Sequence, residues 1–337
     1  MSSKRLIKIS FPIVLLIGIY FLGPAPDKPE YNSVMPIVPE TADALEEFIV
    51  AKEASHNVKP GNEARIIWND SSKQKTPHAI VYLHGFSASQ AEGDPIHRRI
   101  AETFGCNLYL PRLSDHGIDT TEALLYFTAD RIWASAKEAL AIGKQLGDKV
   151  ILMSTSTGGT LALKLAAEYP EDVFALVNLS PNIAINDGAA FLLNDPWGLH
   201  IARMVMGGNY RITDASEEHA KYWNKKYRLE SLTELEELLE STMNKDLFQK
   251  VKQPSLTLYY YKNEDEQDPQ VKVDAMLKMH EQLGTPANLK VEKAMPDAGA
   301  HVIGSSMTSK DIEGVYAEIR NFAIEKLNMS PIDLSTN

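Results

Sequence analysis

The stretch KVILMSTSTGGTLALKLAAEY, residues 149–169, changes its period halfway along. Its first seven residues form a short apolar run of the kind that makes a buried strand, and from Gly158 onward the leucines return at helical spacing. Between the two stand four consecutive hydroxyl side chains, Ser154 to Thr157. Read as small-x-nucleophile-x-small, the segment 154–158 fits a sharp strand-turn-helix corner with Ser156 at its centre, flanked by Ser154 and Gly158, small enough to let strand and helix approach. A hydroxyl at such a corner sits where unpaired backbone N–H groups and the helix dipole favour developing negative charge. Serine and threonine also cap helices, so the pattern alone leaves both roles open.

The elements around this corner alternate. EARIIWND (63–70), HAIVYLHG (78–85), CNLYLPRL (106–113) and FALVNLS (174–180) read as strands, and residues 121–146 as a helix. After residue 181 the rhythm stops for about 70 residues, with helical patterns and no convincing strand. It resumes with PSLTLYYY (254–261), a helix over 271–283, a strand near ANLKVEKA (287–294) and a last helix over 310–326. Such alternation predicts an α/β fold with a mostly parallel sheet and helices on both faces. The expected organisation is an N-terminal anchor segment over 1–27, a core in two parts over 28–182 and 253–337, and a helical insertion over 183–252.

Composition narrows the function. The 337 residues carry 34 basic and 45 acidic side chains, a net charge of −11, so a phosphate backbone is repelled and nucleic acid is excluded as a partner. A single cysteine, Cys106, allows neither an intrachain disulfide nor a cysteine-rich metal site, and no HExxH pair occurs among the nine histidines. No metal or organic cofactor is expected. At the N-terminus Lys4, Arg5 and Lys8 precede the apolar run ISFPIVLLIGIYFLG (9–23). That is a membrane-targeting pattern, read as an uncleaved anchor in preference to a cleaved signal or a buried element. It places the rest of the chain in the cell envelope, on the periplasmic or outer side, or secreted if the segment is cleaved. Residues 24–39, rich in proline, read as a tether, and a short amphipathic helix is expected over 41–54.

Three other segments complete a reactive constellation with Ser156. YLHGFSAS (82–89) ends a central strand in a His-Gly-aromatic turn, which aims the N–H of Phe86 at the same space as the N–H of Thr157, a pair of donors for an oxyanion. AGAHVIGSS (298–306) follows the last strand and carries His301, whose imidazole is suited to take a proton from a serine and return it to a leaving group. KNEDEQDPQV (262–271) supplies the acid that orients the imidazole; Asp268, which opens a helix, is favoured, with Asp265 as the alternative.

With serine, acid and histidine in that chain order, the sequence resembles the α/β-hydrolase family, and within it the lid-bearing carboxylesterases and monoacylglycerol lipases. LHGF (83–86), PRLSDHG (111–117), STSTG (154–158), Asp268 and GAHVI (299–303) carry the likeness, which spans residues 63–326. The resemblance implies a serine hydrolase acting through an acyl-enzyme on a small-molecule ester or acyl lipid, with the insertion as a lid. A peptidase or acyltransferase would use the same site, and a non-catalytic binding protein would keep only the scaffold. Three features depart from the family pattern. Ser154 stands where glycine is usual, the acid loop is longer and more charged than the usual Gly-x-x-Asp form, and Asp115 replaces the first glycine of a Gly-His-Gly turn, which leaves His116 as a structural turn residue. In the insertion, Phe191, Trp197, Met204, Val205 and Met206 are expected either to pack the lid core or to wall an acyl pocket, and the helix over 232–243 to present a solvated acidic face.

Overall fold

The computed structural model describes residues 18–332. Its centre is a seven-stranded sheet in the order β1-β3-β2-β4-β5-β8-β9. The strands are β1 (Arg65–Ile67), β2 (Thr76–Leu83), β3 (Asn107–Leu110), β4 (Gly147–Thr155), β5 (Ala175–Leu179), β8 (Ser255–Tyr259) and β9 (Lys290–Ala294). Only β1 runs antiparallel to its neighbour. Alternate residues of each strand feed opposite layers: Val81, Leu83 and Leu152 face one core, while Ile80, Tyr82, Ile151 and Met153 face the other. The first layer is closed by α3 (Ala129–Leu146), α4 (Thr157–Glu168) and α9 (Val273–Gln282), the second by α2 (Ile96–Phe104) and α10 (Ile312–Leu327). Central strands buried on both faces are apolar throughout, which is why their sequence reads as continuous runs.

The order in which strands are added reverses across the sheet between β2 and β4, the switch point at which open α/β sheets bind ligands beyond the carboxyl ends of their strands. In the β2–β4 register Leu83 lies opposite Ser154, so the turn after β2 and the corner after β4 leave the sheet side by side. Leu179 of β5 pairs with Thr155 of β4, and with Leu258 of β8. The loops after β8 and β9 therefore open on the same edge.

Several expectations are corrected. The helix read over 121–146 begins at Ala129, because Thr128 caps it by accepting from the Arg131 N–H, and the preceding residues form turns. The insertion does contain strands, a small antiparallel pair formed by β6 (Tyr210–Ile212) and β7 (Lys226–Arg228). Three-residue strands are too short to show a period. The helix α1 (Ala42–Ala54) is present, but the segment before it is not a free tether. The Asp130 carboxylate accepts the N–H groups of Glu30 and Tyr31, and Lys137 donates to the carbonyls of Asn32 and Val34. Trp133 also donates to Asn32, and Tyr169 to Ser33. Proline-rich chain lacks internal hydrogen bonds, so side chains of α3, and Tyr169 just after α4, satisfy its carbonyls.

The insertion holds α5 (Gly198–Met206), α6 (Glu217–Ala220), α7 (Glu230–Thr242) and α8 (Lys245–Phe248). The acidic helix α7 is not simply solvated: Leu235, Leu238 and Leu239 join the main core, and Glu237 is buried and bonded to Lys28 and Asn194. The apolar residues of α5 do not pack a lid core, since Met204 is 80% and Val205 74% exposed, and Phe191 and Met206 also face outward. No helix among the described residues is long and apolar enough to cross a membrane. Most of the expected anchor lies outside the described residues; residues 18–21 are helical, and the chain then meets the insertion, where Trp197 donates to the carbonyls of Ile19 and Pro24.

Candidate active site

Ser156 sits on the corner between β4 and α4 with φ +54° and ψ −122°, a strained backbone for a residue with a side chain. The corner is locked from both sides: its N–H donates to Leu179 (3.1 Å), and its carbonyl accepts from Gly159 (2.8 Å) and Asn182 (2.9 Å). Gly158 is obligatory in this geometry, because a Cβ there would lie 1.9 Å from the Leu83 carbonyl oxygen, where α4 crosses the end of β2. Ser154 fills its place without crowding, its hydroxyl donating to the side-chain oxygen of Asn178 at 2.9 Å. Ser156 is 7% exposed, and among the described residues its hydroxyl makes no hydrogen bond. Hydroxyl capping of α4 by Ser156 does not occur.

The loop after β8 delivers Asp268 into the interior, fully buried. Its Oδ1 accepts the N–H groups of Gln270 (2.9 Å) and Val271 (3.1 Å), which leaves Oδ2 to accept the Nδ1–H of His301 at 2.7 Å. Its own N–H donates to Tyr260, and its carbonyl accepts from Asn186. Asp265 is exposed in the preceding turn and does not meet His301. Burial disfavours the charged form of His301, but the charge and hydrogen bond of Asp268, and then the charge of Glu92, outweigh it and raise the imidazole above its ordinary range. The structure thus joins Asp268 to His301, and holds Ser156 on the same edge of the sheet without a hydrogen bond to the imidazole.

The turn after β2 places Phe86 beside this edge. Among the described residues neither its N–H nor that of Thr157 donates to a protein acceptor, so both are free to meet a ligand. His84 is buried behind them, its Nδ1–H donating to Gly85 and its Nε2 accepting from Leu113. His116 is likewise buried, packed edge-on against His84, Phe86 and Phe127, with Nδ1–H donating to Ser114. Asp115, which replaces a glycine and keeps its positive φ, is clasped by Arg131 through two bonds of 2.8 Å. Burial lowers His84 to about 3 and His116 to about 4, so both are neutral and act as supports.

The sequence did not single out two further residues at this edge. Glu92, in the QAEG turn after the Phe86 loop, is buried with its carboxylate accepting the Gly85 N–H. Trp223, from the insertion, packs against Ala88 and Val302, neighbours of the Phe86 turn and of His301. A lone glutamate in a polar loop carries no periodicity, so only the fold brings it forward. His301, Asp268 and Glu92 form no metal-binding group, and none occurs among the described residues.

No protein-family model and no curated protein matches the sequence. Solved structures do. A metagenome-derived lipolytic enzyme superposes with a TM-score of 0.62 at 16% identity, covering 79% of this chain and 98% of its own. The monoacylglycerol lipase of Paleococcus ferrophilus gives 0.57 at 12% identity, over 77% and 97%. A soluble variant of the Saccharomyces cerevisiae monoglyceride lipase, solved with a substrate analogue, gives 0.57 at 12% identity, over 77% and 90%. Together with the strand order and the sharp turn after β4, these likenesses show that the chain has the α/β-hydrolase fold.

Proposed function

We propose that the protein is a serine hydrolase that cleaves carboxylic esters through an acyl-enzyme. The observation that carries this reading is the strained turn at Ser156 on the same sheet edge as an imidazole whose Nδ1–H is bonded to a buried carboxylate. In this reading the Ser156 hydroxyl attacks the acyl carbon, while His301 Nε2 takes its proton and returns it to the departing alkoxide. Asp268 fixes the ring so that Nε2 is the basic nitrogen and steadies the imidazolium. The amides of Phe86 and Thr157 hold the oxyanion of the tetrahedral intermediate. Water, deprotonated by the same imidazole, then releases the acid and restores Ser156.

The substrate class rests on the lipases and esterases that share the fold, and on the exposed apolar residues of α5, whose N-terminal neighbour Trp197 bonds to Ile19 and Pro24. We read the natural substrate as a hydrophobic acyl ester, met in the cell envelope where the segment 9–23 holds the chain. Intact-mass analysis after a fluorophosphonate probe is the decisive test. One adduct, mapped to Ser156 and lost in Ser156→Ala, is expected; an unlabelled protein overturns the reading in favour of a binding role. Acyl-ester series of increasing length test the substrate class, with rising kcat/KM for longer chains as the expected result.

A further inference from the structure

Glu92 is 2% exposed and has no part in the mechanism given above. Both of its carboxyl oxygens lie within 2.9 Å of the point where a side chain on Gly85 would begin, and that point is itself 2.9 Å from the Cβ of Ser156. The carboxylate and the Ser156 side chain therefore both border Gly85, one residue ahead of the Phe86 amide, and the Gly85 N–H donates to the carboxylate. The segment that bears it is stitched to the loop that bears His301: Ser305 donates to the Ala91 carbonyl at 2.9 Å, and the Ser306 N–H donates to Asp94 at 3.0 Å. The segments of Glu92 and His301 are thus joined by one backbone bond and one from a short, buried serine side chain.

We propose that Glu92 is a second acid of this site, a positioning residue that acts through His301 by stabilising its imidazolium alongside Asp268. The proposal rests on the serine-hydrolase reading for its catalytic meaning, but not for its electrostatics. The groups facing Glu92 are few. The oxyanion turn presents the Gly85 N–H, β2 the buried phenol of Tyr82, the insertion the indole of Trp223, and the histidine loop His301. Burial pushes Glu92 up to about 7, against the Gly85 N–H, the positive charge of His301 and the Trp223 indole, which pull it down. Among the described residues this carboxyl has no lysine or arginine partner, and in the interior it finds its counter-charge when the imidazole is protonated, as it is in the transition state.

The test uses the full chain with Glu92→Gln and Glu92→Asp, glutamine keeping an acceptor for the Gly85 N–H. The first readout is the NMR titration of the His301 ring, identified by its absence in His301→Gln. In the glutamine variant its midpoint moves to lower pH, and in the aspartate variant it stays near that of the parent. The second readout is the rate of phosphonate labelling against pH, where the glutamine variant extends its acid limb to lower pH and labels about tenfold more slowly on the plateau. A His301 midpoint unchanged or raised by Glu92→Gln overturns the proposal and leaves Glu92 a structural residue. In the parent chain the His301 signal carries a second inflection as Glu92 titrates, which tests the idea even where the glutamine variant does not fold; a single inflection counts against it. The titration is read without turnover, so a parent protein that fails to label refutes the hydrolase reading alone.

Discussion

His301 donates its Nδ1–H to one oxygen of Asp268 at 2.7 Å, while the other oxygen is saturated by the N–H groups of Gln270 and Val271. The two jobs are divided between two oxygens, so the carboxylate cannot rotate away from the ring without breaking backbone bonds. Asp268→Asn keeps the shape of this arrangement but offers the ring an amide, which favours the wrong tautomer. Its kcat is expected to fall by roughly 10³–10⁴-fold with little change in melting temperature. Asp265→Asn, at an exposed turn, is expected to match the parent; steady-state kinetics on one activated ester compares the two, and the reverse ranking would move the acid to Asp265.

Gly158→Ala places a methyl group 1.9 Å from the Leu83 carbonyl, a contact that only a movement of α4 or of the end of β2 relieves. The expected cost is about 3 kcal/mol, together with loss of phosphonate labelling, because the same movement displaces the amide of Thr157. Denaturant unfolding and labelling of one preparation measure both; a variant as stable and as reactive as the parent would show the corner to be looser than described.

The pair Glu53 and Arg112 ties α1 to the turn that holds His116. Arg112 donates to both oxygens of Glu53, at 2.7 and 3.0 Å, and to the His116 carbonyl at 3.1 Å, and both side chains are buried. Glu53→Gln leaves the guanidinium uncompensated and is expected to destabilise the fold by about 3–5 kcal/mol. Replacing both residues by apolar ones of similar volume is expected to recover most of that loss in the same unfolding assay.

Acid should weaken the fold before its carboxylates are protonated. Burial holds His84 near 3 and His97, His116 and His280 near 4, whereas in the unfolded chain they titrate at about 6.5. The unfolded state binds more protons in that window, so stability present above pH 6.5 drains away as the pH falls towards 4. Thermal melts at pH 7, 5.5 and 4.5 should fall steadily, and His116→Asn should flatten the decline. Glu92 acts in the opposite sense: raised to about 7, its contribution is present below the ordinary carboxylate range and is lost as the pH rises through 7. Glu92→Gln is therefore expected to gain stability relative to the parent at pH 8.

Deletion of the segment before residue 39 removes the strap that accepts from Trp133, Lys137 and Tyr169 and donates to Asp130. Several degrees of melting temperature should be lost on going from a chain that begins at residue 28 to one that begins at 39, since each lost bond strands a partner on α3 or at Tyr169. Equal melting temperatures would show that water replaces the strap at no cost.

The sequence by itself determined the order of strands and helices in the core, because strands buried on both faces must be apolar throughout and the helices that cover them must be amphipathic. It also determined the corner at Ser156, since only small neighbours let β4 and α4 meet so sharply. What lay beyond its reach was whatever depends on distant chain segments meeting. Asp265 and Asp268 are three residues apart and alike in composition, and only the loop's path buries one and exposes the other. The proline-rich strap looked free because its partners, Asp130 and Lys137, are about a hundred residues away. Glu92 carried no pattern at all; its place near Ser156 comes from β2 and β4 being neighbours in the sheet, so that the segments that follow them meet at Gly85. Local periodicity reports which face of an element is buried, and tertiary packing alone decides what is buried against it.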